Sequence, residues 1–345
     1  MKHYLLPETG NFYKANLHCH TTVSDGRHTP EEIKELYIKK GYSIVAYTDH
    51  EVLVPHTDLN DERFLALHGF EAHIYERKYV GGVEVATREE KTCHLCYIAL
   101  EQDNLMHPCY HSHKYSAGNS NLYRAQAQHD PNEPDFERSY NSQCINEMIR
   151  RGKKRGFFVT YNHPSWSQES YPEYISYNGM HALELFNGAC TKSGYEDYNP
   201  RVYDDMLKDG KKIYCVGGDD NHNGSPDDSR YSDSGWAWTM IKADNLEYRT
   251  VTKALEEGNF YASEGPEIYA LWIENNEIHI KCSPADSINC IYGVRARSNW
   301  LSENGVPLTE AVFPFRPNYG YFRITVTDEH GKHACTNAYY PQNYL

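Results

Sequence analysis

The sequence predicts an α/β protein: a parallel sheet or barrel over residues 1–265, followed by a small antiparallel β domain over 266–345. Three observations predict it. Short apolar runs alternate with helical patterns as far as His222, the signature of strand–helix repeats. Several of those runs end in His or a carboxylate, as they do where strand ends gather at one face. After Gly265 the pattern changes to two-residue alternation with hairpin-type turns and little helical signal.

Residues 14–20 read as the first strand. Thr29-Pro30-Glu31-Glu32 then supplies an N-cap, a proline at the first helical position and a capping-box glutamate. The helix runs to about Lys40, where Gly41 stops it. Residues 43–50 (SIVAYTDH) form the next strand, apolar and β-branched at its start and polar at its end. Further strands are expected over 68–74, 93–100, 157–163, 181–187 and 212–222, with helices over 140–154 and 195–209. Segment 101–138 is polar and rich in His, Asn, Tyr and Pro. It is too long for a structureless loop in a compact domain and reads as an insertion over the active-site face. In the tail, strands are expected over 268–280, 288–297 and 319–327, with Glu274-Asn275-Asn276-Glu277 and Asp328-Glu329-His330-Gly331 as turns.

Composition excludes several classes. Hydrophobic residues make up 39% of the 345, enough for a core, and no stretch is low in complexity, so disorder is a poor reading. No apolar run reaches the ~18 residues that a membrane span needs. The start, MKHYLLPETGNFYK, lacks a basic segment followed by an apolar stretch, and a cytoplasmic protein is expected. A net charge of −14 argues against a basic nucleic-acid groove. An anionic substrate stays compatible with it, because bound cations can invert the local field. The ten cysteines show no framework spacing and are expected as reduced thiols. Cys93-His94-Leu95-Cys96 lies in an apolar run and reads as buried strand rather than as a zinc or redox motif. The 30 tyrosines are read as packing residues with hydroxyls near the surface.

Nineteen histidines are many for this length, and their placement is not random. Five segments share one design, an apolar run ending in His or carboxylate. They are His18-Cys19-His20 with Asp25 following, Asp49-His50, Glu71 in HGFEAH, His163 in YNHP, and Asp220-Asn221-His222 in GGDDNH. Residues i and i+2 of a strand point to one face, so His18 with His20, and Asp220 with His222, can aim inward together. A lone HxH is more often a hydrogen-bonded core or surface pair, but five such strand ends point to a metal site. Imidazole mixed with carboxylate suits zinc, manganese or iron, whereas all-oxygen donors would suit magnesium or calcium.

The ordered series HCHTTVSDG, TDH, Gly-x-Glu, a His in an apolar strand, NHP and GGDDNH, spanning 16–222, resembles the PHP (polymerase and histidinol phosphatase) family. The remainder, with GNFYASEGPEI and a β tail, resembles its carbaryl-hydrolase-like branch. The resemblance implies a distorted (β/α)7 TIM-like barrel (the PHP fold) carrying two or three divalent ions of zinc, manganese or iron. It implies His18, His20, Asp25, His50, Glu71, His94, His163, Asp220 and His222 as ligands, with Glu71 bridging and Asp49 orienting His50. His73, His107, His111 and His113 compete with His94 and default to surface or loop positions.

The implied activity is that of a metal-dependent phosphoesterase (a hydrolase). It would release phosphate from a small phosphorylated metabolite, a nucleotide or sugar phosphate, with His50, Glu71 and His222 catalytic. Nucleic acid is expected only as a nucleotide or short oligonucleotide, and no membrane partner is expected. Lys114, Arg124 and Arg230 are candidate phosphate contacts, weighed against ordinary solvated surface charge. The runner-up is hydrolysis of a carboxyl or carbamate ester by the same metal-bound hydroxide. A non-catalytic, metal-stabilised binding module is the third reading.

Overall fold

The computed structural model describes residues 2–76, 78–80, 83–85 and 91–345. The first helix, α1 (Pro30–Lys39), forms as its sequence dictates. Glu32 N donates to Thr29 Oγ1 (3.3 Å), and Thr29 N donates back to the Glu32 carboxylate (2.9 Å). That box satisfies two otherwise unpaired amides, and the helix buries Ile33, Leu36 and Tyr37 against the sheet.

The sheet is built from β1 (Asn11–Asn16), β2 (Ile44–Tyr47), β3 (Leu65–Tyr75), β4 (Thr92–Ala99), β5 (Phe157–Asn162), β6 (Ala182–Asn187), β7 (Tyr214–Gly218), β8 (Trp238–Ala243) and β9 (Phe260–Ser263). Their order is β7-β6-β5-β4-β3-β2-β1-β8-β9. Helices α2 (Ser142–Lys154), α3 (Pro200–Lys208) and α4 (Tyr248–Glu257) complete the main elements. The fold is mixed α/β rather than uniformly parallel. Pairs β1–β2, β2–β3, β5–β6 and β6–β7 are parallel, but β4 runs antiparallel to both of its neighbours and β8 antiparallel to β1. A parallel return needs a long crossover, usually helical. Between β3 and β4 the described residues instead form a short hairpin, Lys78–Val80 with Val83–Val85, so the chain comes straight back.

The sheet curls. Beyond β1 and β7 the two chain extensions meet, with Asp220 N donating to His18 O (2.8 Å) and His20 N to Asn221 O (3.1 Å). Thr239 Oγ1 on β8 joins them by accepting from Gly217 N and donating to Gly217 O. Buried Ile44, Leu65, Leu67, Ile98, Phe158 and Val216 fill one part of the interior. Cys93 and Cys96 are fully buried in β4, where Cys96 Sγ accepts from Asn162 Nδ2.

Gly152 in α2 shows how tightly helix and sheet meet, since a Cβ there would stand 2.4 Å from Tyr97 Cε1. Gly152→Ala therefore destabilises the fold by about 1–3 kcal/mol through overpacking, outweighing the ~1 kcal/mol gained in helix propensity. The midpoint of urea unfolding checks this.

The expected antiparallel tail is present but shares its sheet with the rest of the chain. Strand β9 pairs with His333–Thr336, which pairs with Phe322–Thr327, then Ser287–Tyr292, then Arg297–Leu301. A second sheet orders His3–Tyr4, Ile268–Glu274, Glu277–Ala285 and Leu308–Pro314, so residues near the start of the chain belong with the tail. Asn275 and Asn276 make its tight turn with φ of 52° and 60°, as a two-residue hairpin requires. Ile268, Leu271, Ile280, Ile288, Phe322 and Ile324 form the core between the two sheets. The guanidinium of buried Arg323 grips Asp204 of α3 through two bonds of 2.8 and 2.9 Å. Strands β8 and β9 and helix α4, between His222 and Gly265, carried no sequence expectation. Among the described residues no helix is long and apolar enough to cross a membrane.

Candidate metal centre

Parallel neighbours bring the ends of β1, β2, β5 and β7 to one rim, and the residues just past those ends carry the donors. His18 and His20 leave β1 two residues apart with Nε2 atoms 3.2 Å from each other. His50 follows β2, His163 follows β5, and Asp220 and His222 follow β7. Glu71 enters from the middle of the long β3. His94 arrives from near the start of β4, because an antiparallel strand presents its opposite end to the same rim. Two of these turns are held in the left-handed region, His163 at φ 30° and Asp220 at 53°, and Glu51 beside His50 adopts 67°. Such backbone is costly for non-glycine residues and persists where the surroundings enforce it.

All nine sequence-predicted ligands converge, and Glu184 joins them. Their donor atoms form four overlapping groups that could hold a metal ion: His18/His20/Glu71/Asp220, Glu71/His94/His163, His20/Asp25/His50/His222 and His18/His163/Glu184. Within the first group, His20 Nε2 lies 3.0 Å from Asp220 Oδ1 and 3.4 Å from Glu71 Oε2, and His18 Nε2 lies 3.2 Å from Asp220 Oδ1. Donors about 2.1 Å from a tetrahedral ion stand about 3.4 Å apart, so these edges suit a transition-metal polyhedron. The group of Asp25, His50 and His222 is wider, at 3.6–3.7 Å.

The electrostatics suit cations. Glu71, Asp220 and Glu184 are buried, and their nearest positive partners are imidazoles. Burial opposes protonation of His18, yet Asp220, Glu71 and Glu184 outweigh it and hold the ring charged well above the ordinary range. His20 is raised likewise against burial by Asp220 and Glu71. His163, also buried, is raised to about 9 by Glu71 and Asp220. Burial and the neighbouring His20 push His50 down to about 3, so it presents lone pairs. Among the described residues, buried Nε2 of His94 and Nδ1 of His50 have no hydrogen-bond partner. His50 Nδ1 sits only 3.1 Å from Glu71 Oε2, but out of line for a hydrogen bond. Imidazole and carboxylate donors, orphaned ring nitrogens and buried anions together fit divalent metal ions.

Around the cluster lies a cavity of about 320 Å³ walled also by Tyr75, Ala117, Trp166 and Cys190. The Trp166 ring stands edge-on to His94 and His163, with centroids 5.3 and 5.0 Å away. Segment 101–138 reaches this wall through Ala117. Its Gly118 packs so closely on Ser24 that a Cβ would meet Ser24 O at 2.1 Å.

Several expectations change. Among the described residues, Asp49 makes no carboxylate hydrogen bond to the His50 ring. Its carboxylate accepts from Thr21 N, Thr21 Oγ1, Ser24 N and Ser24 Oγ at 2.7–3.0 Å, and so shapes the turn that delivers Asp25. Lys114, Arg124 and Arg230 are not brought to the cavity. Lys114 pairs with Glu137, and Arg124 spends its guanidinium on the carbonyls of His111, Lys114 and Tyr115. Arg230 lies over Tyr231. His113 is exposed, and His107 and His111 lie in the same loop segment as expected, though buried against the rings of Phe70 and Tyr115, whereas His73 is buried within β3 beside Tyr75. Glu184 was missed. A lone carboxylate inside the apolar run Ala182–Asn187 was the available signal, and its Oε1 lies 2.9 Å from His18 Nδ1.

No family model matches the chain, and no curated protein does. Among solved structures it is similar to a two-domain protein from Bacteroides vulgatus containing a predicted PHP-like metal-dependent phosphoesterase. That match has 14% identity and a TM-score of 0.45 over 94% of each chain. It is also similar to a candidate metal-dependent phosphoesterase from Bifidobacterium adolescentis, at 16% identity and a TM-score of 0.40, covering 73% of this chain and 98% of that one. A third is an amidohydrolase from Chromobacterium violaceum with bound sulfate and no metal, at 13% identity and a TM-score of 0.39, covering 71% and 96%. Likenesses this distant do not define chemistry, which here is read from the chain's own side chains.

Proposed function

We propose that this chain is a metal-dependent hydrolase of the PHP type, acting as a phosphoesterase on a small phosphorylated metabolite such as a nucleotide or sugar phosphate. The curled sheet is read as the wall of a distorted (β/α)7 barrel within residues 1–265, the remainder as its β tail, of the carbaryl-hydrolase-like branch. One observation carries the functional reading. Glu71 Oε1 lies 2.9–3.3 Å from donor nitrogens of His18, His94 and His163, while Oε2 lies 3.1 and 3.4 Å from those of His50 and His20. One carboxylate thus stands between two sets of imidazoles, the arrangement of a bridging ligand.

Bound divalent ions would supply Lewis acidity and a hydroxide near neutral pH. Glu71, His94 and His163 would hold one ion, and His18, His20 and Asp220, with Glu71 again, the other. Asp25, His50 and His222 would serve a third. Glu184 fixes the His18 ring through Nδ1, leaving Nε2 free to bind. His222 donates from Nδ1 to Asp220 O (2.9 Å), so its Nε2, at the more open edge of the cluster, is the nitrogen that would bind the third ion or, with that ion absent and the ring protonated, pass a proton to a leaving group. Trp166 and Tyr75 line the same cavity.

A second reading, a carboxyl or carbamate ester as substrate, is favoured by one feature: among the described residues, no Lys or Arg lines the cavity. The ten cysteines are all free thiols, which supports a reducing, cytoplasmic setting. The test is turnover of p-nitrophenyl phosphate, bis(p-nitrophenyl) phosphate and p-nitrophenyl acetate by protein loaded with zinc, manganese or iron(II). Metal should raise phosphomonoester hydrolysis at least tenfold. Turnover of the acetate alone would move the second reading to the front. Failure to take up any metal would end both.

A further inference from the structure

Arg138, where segment 101–138 ends, is almost wholly buried, and its guanidinium is turned toward the metal centre's supporting backbone rather than toward solvent. Its Nη1 and Nη2 each donate to one oxygen of Glu51, both at 2.7 Å, and Nη1 also donates to His73 O at 2.9 Å. Tyr115 completes the seat, its hydroxyl accepting from Arg138 N (2.7 Å) and its ring lying 4.2 Å under the guanidinium. Glu51 is the residue after His50, and the left-handed backbone at Glu51, φ 67°, sets the chain's direction on leaving that histidine. The same glutamate is stitched to β3, with Glu51 N donating to Glu71 O (2.8 Å) and His73 N donating to Glu51 Oε1 (3.0 Å). The Arg138–Glu51 pair therefore sits behind the two donors that approach most closely across this side of the cluster, His50 and Glu71.

We infer that Arg138 is a positioning residue for the metal centre: by clamping Glu51 it holds His50 against Glu71, which makes segment 101–138 part of the site's scaffold. Charge supports the inference. Four carboxylates already crowd the cluster, and a fifth at Glu51 would be buried beside them with only the His73 ring (Nδ1 at 3.0 Å) facing it if Arg138 were absent. Geometry supports it too, because a bidentate guanidinium–carboxylate pair fixes orientation as well as distance, which a lysine cannot do.

The inference rests on the metal-centre reading, and the test separates the two. Chelator-treated parent, Arg138→Met and the double variant Glu51→Gln/Arg138→Met are titrated with Mn2+ by calorimetry, and their melting temperatures are taken without metal. Arg138→Met alone leaves the buried Glu51 carboxylate with only the His73 ring beside it and is expected to melt lower or fail to fold. The double variant removes both charges and is expected to fold, yet to bind its weakest ion 10- to 100-fold less tightly, the usual loss when a ligand's support is removed. A folded double variant that binds every ion as the parent does overturns the inference, and so does one that unfolds, since the pair is then only a structural brace. A parent that takes up no Mn2+ overturns the metal-centre reading itself.

Discussion

Glu71→Gln abolishes turnover, by on the order of 10³-fold or more, while the protein stays folded. The amide keeps the shape of the side chain but presents one neutral oxygen where five imidazoles now surround two anionic ones. Buried Glu71 is held ionised, well below the usual carboxylate range, by His94, His18 and His50 against the cost of burial, so its charge is present at every working pH. Elemental analysis should show the loss of at least one equivalent of metal, and circular dichroism should show the fold retained. Full metal content with full activity in the variant would remove Glu71 from the bridging role.

Metal-free protein loses stability as pH rises from about 6.5 to about 9, and the metal-loaded protein does not. The folded-state pKa of His163 is raised to about 9 from 6.5. Its contribution is therefore fully present below 6.5 and is lost as pH climbs through 9, a change of order 3 kcal/mol. His18 and His20 shift in the same direction and add to the decline. Glu71 and Asp220 are depressed, so what they contribute is already present above their ordinary range and is lost only in acid. Binding an ion requires imidazole lone pairs, so uptake displaces these protons and affinity rises over the same window. Scanning calorimetry of chelated and zinc-loaded protein at pH 6.5 and 9 reads both effects. A chelated protein whose melting temperature does not fall between those values would show that the cluster does not hold such protons.

Much of the centre was legible because its donors sit at local punctuation marks. An apolar β-branched run ending in TDH, NHP or GGDDNH announces both a strand and its polar end, whatever lies elsewhere in the chain. The capping box of α1 and the Asn275-Asn276 turn were equally local, and both formed as expected. The misread residues were those whose role depends on partners that only the folded chain brings near. Asp49 looks in sequence like a support for His50, but it serves the turn at 21–24, a partner only the adjoining strand end brings near. Arg124 looks in sequence like a candidate phosphate contact, but its own loop folds around it and takes its guanidinium onto the carbonyls of His111, Lys114 and Tyr115.

By itself the sequence determined the α/β class, the position of most strands and eight of the donors that meet, since hydrophobic period and residue chemistry are properties of short segments; His94 was singled out only by the family resemblance. Tertiary structure alone decided that β4 runs antiparallel and so delivers His94 from near its starting end, that the tail extends the main sheet through β9, and that Glu184 belongs to the cluster. It also decided that Arg138 reaches Glu51. These depend on strand order and on pairings between residues far apart in the chain, and no local pattern specifies them. A buried carboxylate finds its imidazole or its guanidinium only once the sheet has curled.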